Sequence, residues 1–253
     1  MKPEIKAYLN RIGITQAIKT DFASLSLLQS QHLKTVPYEN LDIMRNIPLS
    51  LEVGDMYEKI VVRNRGGYCF ELNGLFTWLL RSLGFTVVEY MARFLRDETE
   101  IPMRRHRVLH VTCDEGDYLA DVGVGGIVPL VPIPLVIGQV SNQRGGEKYK
   151  LEKEDFLGNV LYEWKKDEWK KLYAFTEEPQ LNLDYIMPSF YCESHPESFF
   201  RTMDMVHVFT EDGRKSVAGR EVKIFSPKGV EVIVPASEEI YHQLLKLHFG
   251  ISL

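Results

Sequence analysis

Gly84 divides the chain into two kinds of sequence. Before it, apolar residues recur with the helical period of about 3.6 residues. Leu72, Leu75, Phe76, Leu79, Leu80 and Leu83 trace one face from Cys69 onward, and Gly84 supplies the C-terminal stop. Ile5, Tyr8, Leu9 and Ile12 mark an earlier helix that closes at Gly13. Asp21 stands where an N-cap belongs, ahead of Leu25, Leu28 and a run ending near Pro37. After Gly84, β-branched and aromatic residues take over, beginning with a strand over Phe85 to Phe94. His106 to Thr112 and Tyr118 to Val122 flank Asp114-Glu115-Gly116-Asp117, which predicts a hairpin. Further strands are expected over 147–151, 160–164, 169–175 and 199–209, then from a turn at Asp212-Gly213-Arg214 to Val234. A final helix follows over Ser237 to His248. The longest apolar run, Ile127 to Ile137, is too short to cross a membrane, and its prolines bar it from a central strand. Helices followed by strands make an α+β chain, with divisions expected at 1–83, 84–190 and 191–253.

Composition narrows the function classes. With 45% hydrophobic and 26% charged residues, the 253-residue chain has ample material for a core. A formal net charge of -5 argues against a general nucleic-acid binder, which needs a basic surplus. Three scattered cysteines, Cys69, Cys113 and Cys192, do not resemble a disulfide framework. The N-terminal MKPEIKAYLNRIG is amphipathic rather than a signal segment, so a soluble, cytoplasmic protein is expected. The mixed charges from Lys165 to Lys171 read as a solvated hairpin.

Chemistry concentrates in Arg65-Gly66-Gly67-Tyr68-Cys69-Phe70-Glu71-Leu72-Asn73. The glycines allow a sharp turn, and the helix begins at or beside Cys69. A thiol there meets unpaired backbone amides and the positive dipole end, which lowers its pKa. The same amides can receive an oxyanion formed at an attacked carbonyl. Taken alone, Cys69 could be a small buried hydrophobe; Cys113 and Cys192 lack this setting and read as packing residues. A cysteine nucleophile needs a base, and the base an orienting group. The hairpin supplies both, because His106 opens its first strand and Asp121 ends its second. His110 shares a strand face with His106, and register does not choose between them. The histidines show no ligand spacing with Cys or carboxylates, so no metal is expected.

These segments resemble the arylamine N-acetyltransferases along nearly the whole chain. His32 with Val36-Pro37-Tyr38-Glu39-Asn40-Leu41 is similar to that family's His...Pro-Phe-Glu-Asn-Leu segment. Arg65 to Asn73 matches its nucleophile motif almost letter for letter, and His106 through Asp121-Val122-Gly123-Val124-Gly125 its His...Asp-Val-Gly-Phe-Gly block. Ser194-His195-Pro196-Glu197-Ser198-Phe199-Phe200 and Asp212-Gly213-Arg214 follow in the expected order. The resemblance aligns His106, not His110, with the catalytic histidine and implies a Cys69–His106–Asp121 triad. It also implies a helical lobe, a β-barrel-like lobe and an α/β lid, akin to the papain and transglutaminase core. Tyr38 replaces the usual Phe, adding a hydroxyl to an expected substrate wall. Val124 replaces another Phe, removing an aromatic face worth about 0.5–1.5 kcal/mol of packing. The chain stops at Phe249 to Leu253, where many bacterial relatives continue into a further helix.

The implied reaction is ping-pong acetyl transfer from acetyl-coenzyme A to arylamines, arylhydrazines or N-hydroxyarylamines, as in xenobiotic metabolism. Pro102 to Arg105 are expected to border the acyl pocket, and Tyr38 and Val124 the acceptor. A thiol hydrolase or transglutaminase-like amidase, or an amide synthase, could use the same triad. A non-catalytic acyl- or coenzyme-binding module is a third class, disfavoured by the intact Cys69, His106 and Asp121.

Overall fold

The computed structural model describes residues 2–126, 128–143 and 146–253; Ile127, at the head of the long apolar run, lies outside the described residues. The helical third comprises α1 (Pro3–Arg11), α2 (Phe22–Thr35), a two-residue strand β1 (Tyr38–Glu39), α3 (Leu41–Met44), α4 (Val53–Tyr57), a π-helical turn (Glu58–Val62) and α5 (Cys69–Ser82). Asp21 caps α2, its Oδ1 accepting from the Ser24 N–H at 2.8 Å. Gly84 adopts φ +98°, the left-handed stop read from the sequence. The periodic face of α5 is buried throughout, each Leu or Phe gaining about 1.5–3 kcal/mol from leaving water.

Eight antiparallel strands follow: β2 (Thr86–Phe94), β3 (His106–Cys113), β4 (Gly116–Ala120), β5 (Ile133–Pro134), β6 (Val140–Asn142), β7 (Lys148–Glu154), β8 (Gly158–Lys165) and β9 (Glu168–Phe175). Their order is β5-β4-β3-β2-β9-β8-β7-β6, a barrel-like sheet around Tyr149, Leu161, Tyr173 and Phe175. The proline segment supplies only the edge strand β5, as its missing donors require. Lys166 and Asp167, both at positive φ, turn β8 into β9 within the mixed-charge run.

A 3-10 turn (Asn182–Tyr185) and α6 (Ile186–Ser194) lead to β10 (Met205–Phe209), β11 (Arg214–Ala218), β12 (Glu221–Ser226), β13 (Gly229–Ile233) and α7 (Glu238–Phe249). These strands form a second antiparallel sheet, ordered β1-β10-β11-β12-β13. Strand character was expected from Phe199, but Phe199–Arg201 is a 3-10 turn begun by Ser198, whose Oγ accepts the Phe200 N–H. Helix α6 was not anticipated. Its Ile186, Met187 and Phe190 are exposed, so it shows no one-sided apolar stripe, and Pro188 lies within its first turn. β1 belongs to the last sheet although it lies in the first third, and Leu41 packs with Val206, Tyr241 and Leu245. None of the helices among the described residues is long and apolar enough to cross a membrane.

Candidate active site

Gly66 and Gly67 are needed for closeness rather than for a sharp turn. A Cβ on Gly66 would lie 1.9 Å from the Pro37 carbonyl oxygen, because this segment runs against β1. The Glu39 N–H donates to the Gly67 carbonyl at 2.8 Å, and the Gly67 N–H to that of Pro37 at 3.3 Å. The backbone then enters α5 with Cys69 as its first residue. Glu71 closes that end, its Oε2 accepting the Tyr68 N–H at 3.2 Å. Lys59, on the π-helical turn, bridges Glu71 and Asp42 at 2.8 Å each. Arg65 joins Asp42 to Glu39, whose carboxylate also accepts the Leu41 and Gly66 N–H groups. Burial opposes the charge on Asp42, but Lys59 and Arg65 hold its carboxyl below the usual range.

Cys69 is 2% exposed and its Sγ–H donates to the Arg105 carbonyl at 3.7 Å. Burial pushes its thiol well up, Cys192 and Asp121 add to this, and backbone hydrogen bonds involving Arg107 and Phe70 oppose it. Desolvation thus acts on the thiol in the direction opposite to the amides of the helix start.

His106 faces Phe94 and Tyr173, with ring centroids at 6.0 and 5.4 Å. Its Nε2 lies 2.7 Å from Asp121 Oδ2, and both side chains are buried. The other carboxylate oxygen, Oδ1, accepts from Asn73 Nδ2 and the Gly123 N–H, each at 2.8 Å. Asn73 also donates to the Arg107 carbonyl at 2.6 Å and accepts the Val122 N–H at 2.9 Å. One amide side chain thus ties the Cys69 helix to the His106 strand and the Asp121 segment. Gly123 completes the fit: a Cβ there would stand 2.7 Å from Cys69 Cα.

His110 is removed from this arrangement. Its Nε2 lies 2.9 Å from Asp117 Oδ1 and its Nδ1 3.1 Å from Tyr90 Oη, toward the far end of the hairpin. Asp121 sits just beyond β4, so it meets His106 rather than His110. His32 is a core residue, bonded to Tyr8 Oη at 2.9 Å and pushed down to about 3 by burial. Burial pushes the thiols of Cys113 and Cys192 up to about 12; Cys192 packs in the same cluster as Cys69.

Tyr38 is half-buried against Gly125, and burial, then Cys69, raises its phenol. The Arg105 carbonyl meets Cys69 while its guanidinium pairs with Glu98 at 3.2 Å. The Pro102 carbonyl accepts from Arg93 at 2.5 Å. Val124 is 4% exposed, with its side chain turned into the helical core. The sequence reading assigned no role to Asn73, although a residue four places along the helix shares the face of Cys69. It also passed over Arg107, buried against Glu89 and stacked 4.3 Å over Tyr185, and Tyr173, whose phenol is raised by burial and by Asp121. Those partners are far away in sequence and left no local pattern.

Residues 21–253 match the N-acetyltransferase family. An arylamine N-acetyltransferase of Mycolicibacterium smegmatis is 34% identical over 259 residues, spanning 100% of this chain and 94% of that protein. The chain belongs to the arylamine N-acetyltransferase family. The arylamine N-acetyltransferase of Salmonella typhimurium superposes with a TM-score of 0.94 at 28% identity, covering 99% of this chain and 92% of its own. That of Mycobacterium marinum, solved in complex with CoA, gives 0.88 at 33% identity, with coverage of 98% and 92%. This chain is accordingly an acetyltransferase, and its α+β fold with a barrel-like sheet is that of the arylamine N-acetyltransferases.

Proposed function

We propose that the chain carries an acetyl group from acetyl-coenzyme A to the nitrogen of an arylamine, arylhydrazine or N-hydroxyarylamine by a ping-pong route through acetyl-Cys69. The observation that carries this reading is the 2.7 Å contact of His106 Nε2 with Asp121, beside a buried thiol at the first residue of α5. With Nε2 held, Nδ1 is the ring nitrogen left to take the Cys69 proton. Because burial raises the thiol, that transfer accompanies attack on the thioester carbonyl. The tetrahedral oxyanion draws on the amides at the α5 start, and coenzyme A leaves with the proton from His106. The amine then attacks acetyl-Cys69 and His106 takes its proton, which returns to the cysteine sulfur. A weakly basic aromatic amine is neutral at pH 7 and needs no other activation.

The CoA complex of the Mycobacterium marinum relative supports acetyl-coenzyme A as the donor. Pro102 and Arg105 border the acyl side in this reading, and Tyr38 and Val124 the acceptor side. Val124 contributes there by the path of its backbone, since its side chain packs inward. A reduced nucleophile suits the cytoplasm. Intact mass spectrometry tests the scheme. Acetyl-coenzyme A should add one acetyl group, mapped to Cys69, which 4-aminobenzoate or a hydrazide then removes. Discharge to water at the same rate without amine would make the chain a hydrolase. Absence of an adduct on an alkylatable Cys69 would exclude acetyl-coenzyme A as donor.

A further inference from the structure

Strand β3 sends its first two side chains to opposite faces, as the pleat requires. His106 turns toward Tyr173 of the barrel cluster, whereas Arg107 turns toward the start of α5. On the adjacent strand β2, Glu89 stands opposite Leu109, so Arg107, two residues away, is its diagonal neighbour on that face.

Every part of the buried Arg107 guanidinium is engaged. Nε and Nη2 pair with the Glu89 carboxylate, which is itself buried. Nη1 donates to the Phe70 carbonyl at 3.3 Å and to Asn182 Oδ1 at 3.4 Å, and the flat face covers the Tyr185 ring at 4.3 Å. One side chain thereby joins β2, the first turn of α5 and the 3-10 turn at 182–185. Gly74 leaves room for it, since a Cβ there would lie 2.7 Å from Nη1. Glycine weakens a helix interior, so its place in α5 is explained by this close approach and not by the helix. The Arg107 backbone faces the other way in function. Its carbonyl accepts from Asn73 Nδ2 at 2.6 Å. Backbone hydrogen bonds of Arg107 and Phe70 are what oppose the rise of the Cys69 thiol, and the guanidinium ties those two residues to each other. An ion pair this deeply buried adds little stability that apolar residues of similar volume could not supply.

We infer that Arg107 is a positioning residue for the acetylation step: its guanidinium fixes the Arg107 and Phe70 backbone groups around the Cys69 sulfur and holds that sulfur in register with His106. The inference rests on Cys69 as the group that takes acetyl from acetyl-coenzyme A, and its test includes a readout that needs no acetyl donor.

Stopped-flow release of coenzyme A over a range of acetyl-coenzyme A concentrations measures the step. In Arg107→Met combined with Glu89→Gln, which removes both buried charges, the saturating rate should fall about 10–100-fold while the half-saturating concentration stays unchanged. The pH at which iodoacetamide labels Cys69 should rise in the same protein. Arg107→Lys keeps a charge for Glu89 but lacks the fork that reaches Phe70 and Asn182, so it should melt near the parent and still react slowly. Leu245→Ala, which opens the core beneath the C-terminal sheet, should lower the melting temperature and leave rate and labelling profile alone. Parental rates and labelling in the double variant and in Arg107→Lys would overturn the inference. So would an effect confined to the half-saturating concentration, or equal slowing in Leu245→Ala. A failure of the acetyl-transfer reading shows differently, as a parent protein that forms no acetyl-Cys69 while the Arg107 variants still label at higher pH.

Discussion

The Asp121 carboxylate meets the His106 ring through one oxygen and accepts from Asn73 and the Gly123 N–H through the other, so its two oxygens have separate tasks. Asp121→Asn puts an amide where both the ring and Asn73 need an acceptor. Acetylation of Cys69, followed by stopped-flow release of coenzyme A, should slow by about 10⁴-fold, the scale seen when an orienting aspartate is neutralised. A second expectation concerns the thiol. With burial raising it, the proposed mechanism makes Cys69 nucleophilic near neutrality only by passing its proton to His106. Iodoacetamide labelling of the parent should therefore begin below the ordinary thiol range of about 8.5. In His106→Gln that early limb should vanish, leaving a rise at alkaline pH alone. An unchanged labelling profile would detach the histidine from the nucleophile.

Among the elements, the π-helical turn carries a burden that its sequence conceals. Lys59 is held within it against Asp42 and Glu71, so Lys59→Met strands the buried Glu71 carboxylate, leaves Asp42 to Arg65 alone, and should cost about 3–5 kcal/mol in urea unfolding. Lys59→Met combined with Glu71→Gln should recover part of that loss. Helices α1 and α2 meet through Tyr8 and His32, whose ring burial holds at about 3. The unfolded chain binds that proton below about 6.5, whereas the folded chain refuses it until near 3, so this site removes stability as pH falls through that window. Melting temperatures of His32→Gln should accordingly fall less between pH 6.5 and 4 than those of the parent. The large elements were readable because α5 is amphipathic and the β3–β4 hairpin is bracketed by polar turn residues. Cys69, His106 and Asp121 were nominated by those same two elements; strand register left His110 open, the family resemblance chose His106, and the structure sets Asp121 against His106. Helix α6 was not readable, because it directs Met187 and Phe190 outward and its buried face is short. β1 was hidden by its two-residue length and a partner 167 to 169 positions downstream.

At the scale of the whole molecule, the first and last thirds are sewn together. Asn40 donates to the Phe200 and Met203 carbonyls at 2.8 and 2.9 Å and accepts the Met205 N–H at 2.7 Å. Tyr68 Oη meets Ser189 Oγ at 2.6 Å. Such ties predict one cooperative unfolding transition, with fluorescence of the barrel residues Trp164 and Trp169 coinciding with helical circular dichroism. Two separated transitions would show that the sheets melt independently. The same stitching orders events during synthesis. The stretch from Tyr38 to Cys69 leaves the ribosome long before β10, the strand against which β1 must lie. The thiol of a nascent chain therefore waits through more than half of translation without its finished surroundings, and the enzyme's reactivity is assembled last.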